Sequence, residues 1–249
     1  MNKAVITGIC FLLAMAGVSQ AAMFHSDFTE ASLAGITGLN KDAPGATSED
    51  YSLNTVNDTL DFVTTSADMW TARANAPIAW VAAPTMANGQ VWSVETYVSM
   101  IKDGNSEEVA GITFYGGPDN AKPDFTFGLD DWNGWHVRLQ GLGSNNPNVG
   151  GSDLGAATGV FLRAEITEGG ATDEYNFFYK VNPGDAWSQL GGAAEDFESD
   201  FPNSRVGLVL KSDNGGGAAQ FDYLTVTPEP ATMTLLALGG LALLRRRRK

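Results

Sequence analysis

Paired acidic side chains are the first residues of this chain that could do chemistry. Retaining hydrolysis of a glycosidic bond needs two carboxyl groups roughly 5–5.5 Å apart, one as acid and one as nucleophile. Glu165 and Glu168 are close in sequence, but strand residues three apart point to opposite faces, so they do not form such a pair. Glu95 stands alone in its segment. A pair assembled from different strands, for example Glu95 and Glu165, leaves a glycoside hydrolase or lyase as an alternative.

Nucleophilic and zinc chemistry have little support. His25 and His136 are the only histidines, Cys10 is the only cysteine, and the Gly-x-Ser-x-Gly turn of serine hydrolases is absent. Zinc would need a cluster of His and Cys ligands, which these residues do not provide. We therefore predict no catalytic residue and no enzymatic activity, and we interpret His136 as a structural polar residue of a strand.

Calcium is the one cofactor that the acidic residues suggest, because Ca²⁺ prefers carboxylate and carbonyl oxygens. Asp27 lies in the first predicted strand of the domain and Asp222 in the last, and terminal strands of a sandwich are often neighbours. The two carboxylates could share a structural Ca²⁺ site, or each could face solvent separately.

Exposed tryptophans could stack on sugar rings. Trp132 and Trp135 bracket a predicted turn that contains Asn-Gly, and they are the candidates for carbohydrate stacking. Trp132 is the better one because polar residues flank it. The alternative is that tryptophans fill the core or its ends, and we favour this alternative for Trp92 and Trp187.

The elements that must position these residues are β-strands. Between residues 22 and 227 apolar and polar residues alternate in short runs separated by Gly, Pro, Asn and Asp. In the last run, Phe221, Tyr223 and Thr225 are expected to share one face. Long loops are expected over 38–57 and 141–157. Strands are predicted at 24–28, 91–101, 109–115, 124–129, 135–139, 159–167, 174–181, 205–211 and 220–226.

These strands predict an all-β domain, a two-sheet antiparallel β-sandwich, rich in the turns that 29 glycines allow. The C-terminal half resembles concanavalin A-like lectin/glucanase jelly rolls, especially the accessory domains of β-xylosidases. The resemblance implies a fold and not a function, because that fold hosts lectins, hydrolases and plain spacers. The segments that carry it are Phe161–Ile166, Tyr175–Lys180, Trp187–Gly191, Arg205–Leu208 and Phe221–Leu224.

The last 22 residues form a tripartite tail. Pro228, Glu229 and Pro230 precede the apolar run 231–244, and Arg245, Arg246, Arg247, Arg248 and Lys249 end the chain. A helix over the 14 apolar residues would be about 21 Å long, shorter than the ~30 Å hydrocarbon core. The terminal cations would stay on the cytoplasmic side. Such a short transmembrane helix is typical of a processing signal rather than of a permanent anchor.

This tail resembles the PEP-CTERM sorting signal of Gram-negative bacteria. The resemblance implies recognition by an exosortase-type membrane peptidase, a transient stay in the inner membrane, removal of the tail, and delivery of the rest to the cell surface or exopolysaccharide matrix. The alternative is an ordinary tail anchor that follows Pro-Glu-Pro by chance.

The amino terminus also indicates export. Lys3, the apolar run 4–18 and the small-residue site 19–21 predict a signal peptide of residues 1–21, used by the Sec machinery and signal peptidase. The predicted organisation is therefore this signal helix, a lectin-like sandwich over 22–227, and a sorting segment over 228–249. Cys10 leaves with the signal peptide, so the exported domain has no thiol and no disulfide.

The exported domain is strongly acidic. Residues 22–227 hold 9 of the 15 Lys and Arg but 28 of the 29 Asp and Glu, a formal charge of −19. Such a surface repels nucleic acid and anionic lipid. Together these features predict a non-catalytic, exported surface or matrix protein that associates with extracellular polysaccharide. The alternatives are the glycoside hydrolase or lyase and a purely structural matrix or adhesion protein.

Overall fold

The structure is a computed structural model that describes residues 23–42, 50–64, 77–101, 108–115, 124–130, 134–142, 149–170, 173–190, 196–199, 205–212 and 217–228. Sixteen strands and one 3₁₀ turn (Leu33–Gly35) occupy these ranges. Within them, no helix is long and apolar enough to cross a membrane. The predicted signal helix over 1–21 and transmembrane helix over 231–244 lie outside the described residues.

One sheet has nine strands. These are β1 (Phe24–Ser26), β3 (Asp50–Asn54), β4 (Thr59–Thr64), β6 (Val91–Ile101), β11 (Gly159–Thr167), β12 (Asp173–Lys180), β13 (Ser188–Gln189), β14 (Asp196–Ser199) and β16 (Gly217–Pro228). Their order is β13-β12-β11-β6-β16-β4-β3. In addition, β14 pairs with β12, and β1 pairs with β16 beyond the end of β4.

The second sheet has seven strands. These are β2 (Asn40–Asp42), β5 (Ile78–Ala82), β7 (Glu108–Tyr115), β8 (Asp124–Asp130), β9 (Trp135–Leu142), β10 (Val149–Gly155) and β15 (Arg205–Ser212). Their order is β10-β9-β8-β7-β15-β5-β2. Neighbouring strands in both sheets run antiparallel, so the described part of the chain is an all-β, two-sheet antiparallel sandwich, as predicted.

The core lies between the two sheets, because successive strand residues point to opposite faces and the apolar set of each strand points inward. In β6 the inward residues include Trp92, Val94 and Val98, all buried as the alternation predicted. Aromatic rings join the sheets. The ring centroids of Phe114 and Tyr175, from opposite sheets, lie 5.2 Å apart in an edge-to-face arrangement.

Strand β16 pairs with three other strands of the nine-stranded sheet. It pairs with β6 along one side, and with β4 and then β1 along the other. A β-bulge between Phe221 and Tyr223 inserts Asp222, so Phe221 points into the core while Tyr223 and Thr225 point outward. The prediction that these three residues share one face is wrong for this reason.

Two predicted loops also contain strands. The segment 38–57 holds β2 and β3, and the segment 141–157 holds β10. All three are edge strands. An edge strand is paired on one side only, and its sequence need not show the apolar alternation of a strand with a buried face.

Candidate functional site

An arginine and two glutamates meet on the outer face of the nine-stranded sheet, the face turned away from the core. The register places Arg163 of β11 opposite Glu95 of β6. Arg163 Nε lies 3.4 Å from Glu95 Oε1, and Arg163 Nη2 lies 2.9 Å from Glu165 Oε1. The structure therefore brings the two acids of the hydrolase alternative onto one face, with a cation between them.

Aromatic side chains lie beside this charged group. Tyr223 of β16 pairs with Tyr97 of β6, and Tyr97 pairs with Phe161 of β11. The ring centroids of Tyr97 and Phe161 are 4.6 Å apart. Trp187, between β12 and β13, extends this line through Lys180. We name Tyr223, Tyr97, Phe161 and Trp187 the aromatic row; all four rings are half-buried.

Lys180 connects the last two rings of the aromatic row. It pairs with Phe161 in the register, and its Nζ lies 5.2 Å from the Phe161 centroid and 4.7 Å from the Trp187 centroid. The same Nζ donates a 2.9 Å hydrogen bond to the carbonyl oxygen of Pro183. Arg163 Cζ lies 6.0 Å from the Trp187 centroid. Cations over an aromatic face are attracted to it, so Lys180 and Arg163 hold the Trp187 ring on the sheet.

The local environment raises the pKa of both tyrosines of the row. Burial raises the pKa of the Tyr97 hydroxyl, and the nearby Asp222 carboxylate raises it further. The pKa of Tyr223 is raised strongly, first by burial and then by the charges of Glu95 and Asp222. Partial burial also raises the pKa of the Asp222 carboxyl group. Both phenol groups therefore remain hydrogen-bond donors at neutral pH.

The outer face of the seven-stranded sheet carries buried polar side chains. Thr113, Thr126, Asp130 and Lys211 lie on it, and each is at most 1 % exposed. Arg138 Nη1 donates a 2.8 Å hydrogen bond to Asp130 Oδ2 within an ion pair. Because these side chains are closed to solvent, they do not form an open platform for a ligand.

Two glycines on the outer face of the seven-stranded sheet lie against the backbone of a neighbouring strand. A Cβ at Gly111 would collide with the backbone carbonyl of Phe127, and a Cβ at Gly207 would collide with that of Ala79. These two positions accept no side chain without displacement of a neighbouring strand. The glycines therefore allow the strands to approach each other this closely.

The two predicted stacking tryptophans have different outcomes. Trp135 belongs to the hydrophobic core and is 9 % exposed, so its ring offers no face to a sugar and that prediction is wrong. It occupies an inward position of β9, followed by the less buried His136. Trp132 lies outside the described residues. Trp92 fills the core as expected, whereas Trp187, also expected there, lies on the outer surface of the nine-stranded sheet.

The predicted calcium ligands lie on neighbouring segments. β1 pairs with β16 in a register that sets Ser26 opposite Leu224, so Asp27 follows the end of this ladder and Asp222 lies at the bulge. Both side chains are exposed. The Thr29 hydroxyl donates a 2.8 Å hydrogen bond to Asp27 Oδ1, and this bond lowers the pKa of Asp27. In the described part of the chain no three His, Cys, Asp or Glu residues group as metal ligands.

The sorting segment begins inside the fold. Pro228 is the last residue of β16 and pairs with Trp92 of β6. Glu229, Pro230 and the basic residues 245–248 lie outside the described residues.

The sequence of this tail matches the PEP-CTERM protein-sorting motif over residues 226–249. The motif indicates an exported protein that is sorted by an exosortase through a membrane-anchored intermediate. No curated protein has a sequence that matches this chain.

The sandwich is similar to a number of solved structures, including the following three, at identities that show the fold alone. A mutant of the GH43 protein BlXynB of Bacillus licheniformis is 18 % identical over 82 % of this chain and 39 % of its own, with a TM-score of 0.57. A bifunctional GH43-CE protein of Bacteroides eggerthii is 16 % identical over 82 % and 27 %, with a TM-score of 0.58. The CBM2 module of the evolved Dit of Lactobacillus casei BL23 phage J-1 is 13 % identical over 82 % and 94 %, with a TM-score of 0.51.

The chain thus spans well under half of both GH43 proteins. The fold is a concanavalin A-like sandwich, of the kind found in glycoside hydrolases, and it carries a PEP-CTERM sorting motif at its carboxyl terminus.

Proposed function

We propose that this is a non-catalytic, exported protein of the cell surface or exopolysaccharide matrix, associated with carbohydrate and sorted by an exosortase-type peptidase. The observation that carries the proposal is the PEP-CTERM motif over 226–249, joined directly to the last strand of the sandwich. After Sec export and signal-peptide removal, the apolar run would hold the chain in the inner membrane until the peptidase removes the tail.

The ion pairs support a non-catalytic role. A retaining glycosidase needs one carboxyl group that is protonated and one that is free to attack. An adjacent cation engages the oxygens of a carboxyl group in charge-assisted hydrogen bonds. Arg163 lies in this way against Glu95 and Glu165, and Arg138 against Asp130. Cations therefore engage the oxygens of these three acids, which supports a structural role for them.

Deletion of the sorting signal tests the export part. We expect Glu229→Ala, or loss of residues 245–249, to leave unprocessed protein in the membrane fraction. Glu174→Ala is the matched control, because Glu174 is an exposed acid of the sandwich. Mass spectrometry of the carboxyl terminus is the measurement. A mature wild-type chain that still ends at Lys249, in cells that possess the peptidase, contradicts the proposal.

A second candidate function is an extracellular glycoside hydrolase or lyase. Glu95 and Glu165 lie on one face, and the fold is shared with GH43 proteins. Release of reducing sugar from a polysaccharide panel, abolished by Glu95→Gln or Glu165→Gln, would favour this function over binding alone. A protein that neither binds nor cleaves any glycan would instead be a purely structural matrix or adhesion protein.

A further inference from the structure

We propose that the aromatic row on the outer face of the nine-stranded sheet binds a neutral polysaccharide. This inference rests on the carbohydrate association proposed above and names the surface and the class of glycan. It also moves the candidate site from the predicted pair Trp132 and Trp135 to the aromatic row.

The row has the dimensions of an extended binding site. Tyr223, Tyr97, Phe161 and Lys180 occupy successive strands in register. With strands about 4.8 Å apart, these four positions span about 14 Å across the sheet. Trp187 continues the line beyond Lys180. A linear sugar chain laid across the strands would meet one ring after another.

The rings are already held in place. Tyr97 packs against Phe161 at 4.6 Å, and Trp187 lies against the Lys180 ammonium at 4.7 Å. Lys180 is itself fixed by its hydrogen bond to the Pro183 carbonyl. Rigid aromatic side chains lose little conformational freedom when a ligand binds, so a preorganised row favours binding.

These rings are not explained by the core. The side chains that fill the core from the same strands are Val98, Leu162 and Leu224, which point the other way. Large apolar groups clustered on an outer sheet face contribute nothing to that core, and such clusters mark interaction sites.

The charge pattern selects a neutral glycan. Arg163 is offset by Glu95 and Glu165, whereas Lys180 bonds to a backbone carbonyl and lies over two rings. A domain with a formal charge of −19 repels a polyanion, and it equally repels a second copy of itself. Sugar rings present apolar C–H faces for stacking, and their hydroxyl groups would find acceptors in the two glutamates and a donor in Lys180.

The test uses the exported protein and four soluble polysaccharides: arabinoxylan, laminarin and galactomannan as neutral probes, and polygalacturonate as the anionic probe. Affinity electrophoresis measures binding. We expect at least one neutral probe to bind, polygalacturonate not to bind, and Trp187→Ala and Tyr97→Ala each to weaken binding about tenfold or more.

Conservative variants separate binding from folding. Tyr97→Phe and Trp187→Phe keep an aromatic ring and should retain most of the binding. Trp80→Ala is the matched control, because Trp80 also lies under a cation, with Arg205 Cζ 4.0 Å from its centroid, but on the seven-stranded sheet. Circular dichroism checks that each variant is folded.

Each result decides between the proposals. If Trp80→Ala abolishes binding and the variants of the aromatic row still bind, this inference is overturned. The proposed carbohydrate association would then still stand. Binding of polygalacturonate in preference to the neutral probes also overturns it. Absence of binding to all four probes overturns both proposals. Sedimentation measures whether the wild-type protein is a dimer. A dimer that dissociates in Trp187→Ala would show that a second copy covers the aromatic row, and this result would also overturn the inference.

Discussion

The buried ion pair between Asp130 and Arg138 should be structural, and its removal gives a sharp test of that structural role. Asp130→Asn changes little but the charge of a side chain that is 2 % exposed, and it removes the carboxylate that lies 2.8 Å from the Arg138 guanidinium, itself 13 % exposed. Breaking one partner of a buried pair costs about 3–5 kcal/mol. Because Arg138 keeps some contact with water, we expect a loss of unfolding free energy near the lower end, about 3 kcal/mol.

The assay is urea unfolding of the exported protein. With a slope of about 3 kcal/mol per molar urea, a loss of that size lowers the midpoint by about 1 M. It lowers the melting temperature by roughly 6–12 °C for a domain of this size. Glu174→Gln, at an exposed position, should stay within about 0.5 kcal/mol of wild type.

A double-mutant cycle isolates the pair. Asp130→Asn combined with Arg138→Met removes both charges, so the double variant should be markedly more stable than the sum of the two single losses predicts, with a coupling of about 1–3 kcal/mol. If Asp130→Asn is as stable as wild type, the carboxylate has no structural role.

Three further predictions concern a glycine, a carboxyl group and a cation. Gly111→Ala should abolish folding or cost more than about 3 kcal/mol in urea unfolding, since the new Cβ meets a strand backbone, whereas Gly184→Ala, with open space around it, should not. Burial raises the pKa of Glu168 in the fold above its ordinary 4.5, so stability should fall as pH rises from that value through the folded pKa, and Glu168→Gln should flatten this part of the pH profile. If Asp27 and Asp222 hold Ca²⁺, millimolar CaCl₂ should raise the melting temperature, and Asp27→Asn or Asp222→Asn should remove the rise; no shift in wild type contradicts the site.

The strands of the core could be predicted from the sequence because burial of one face imposes alternation. The bounds of β6 and β11 agree with the predicted 91–101 and 159–167. A slip by one residue would turn their apolar side chains to solvent, so the pattern and the register are set together. The edge strand β10 could not be found this way, because its residues show no sustained apolar alternation. The edge strand β3 does place Tyr51 and Leu53 toward the core, but its alternation lasts for only five residues.

The site was harder to predict because it is assembled across the chain. Alternation along β11 did place Arg163 and Glu165 on an outer face. Nothing local indicated that Tyr97 and Tyr223 become neighbours, since they are far apart in sequence and the bulge at Asp222 reverses the expected facing of Tyr223. Trp187 was missed because its position depends on Lys180 and Arg163, which only the folded sheet brings beneath it.

The junction between sandwich and tail places the first proline of Pro-Glu-Pro inside the fold. β16 is held by β6, β4 and β1, so its end is fixed in the sheet rather than free. Proline has no N–H to donate to a ladder, and Pro228 is the residue at which pairing with β6 stops. The sorting motif and the last strand therefore share residues 226–228, so the pairing of β16 with β6 and β1 fixes the position of the first residues of the motif.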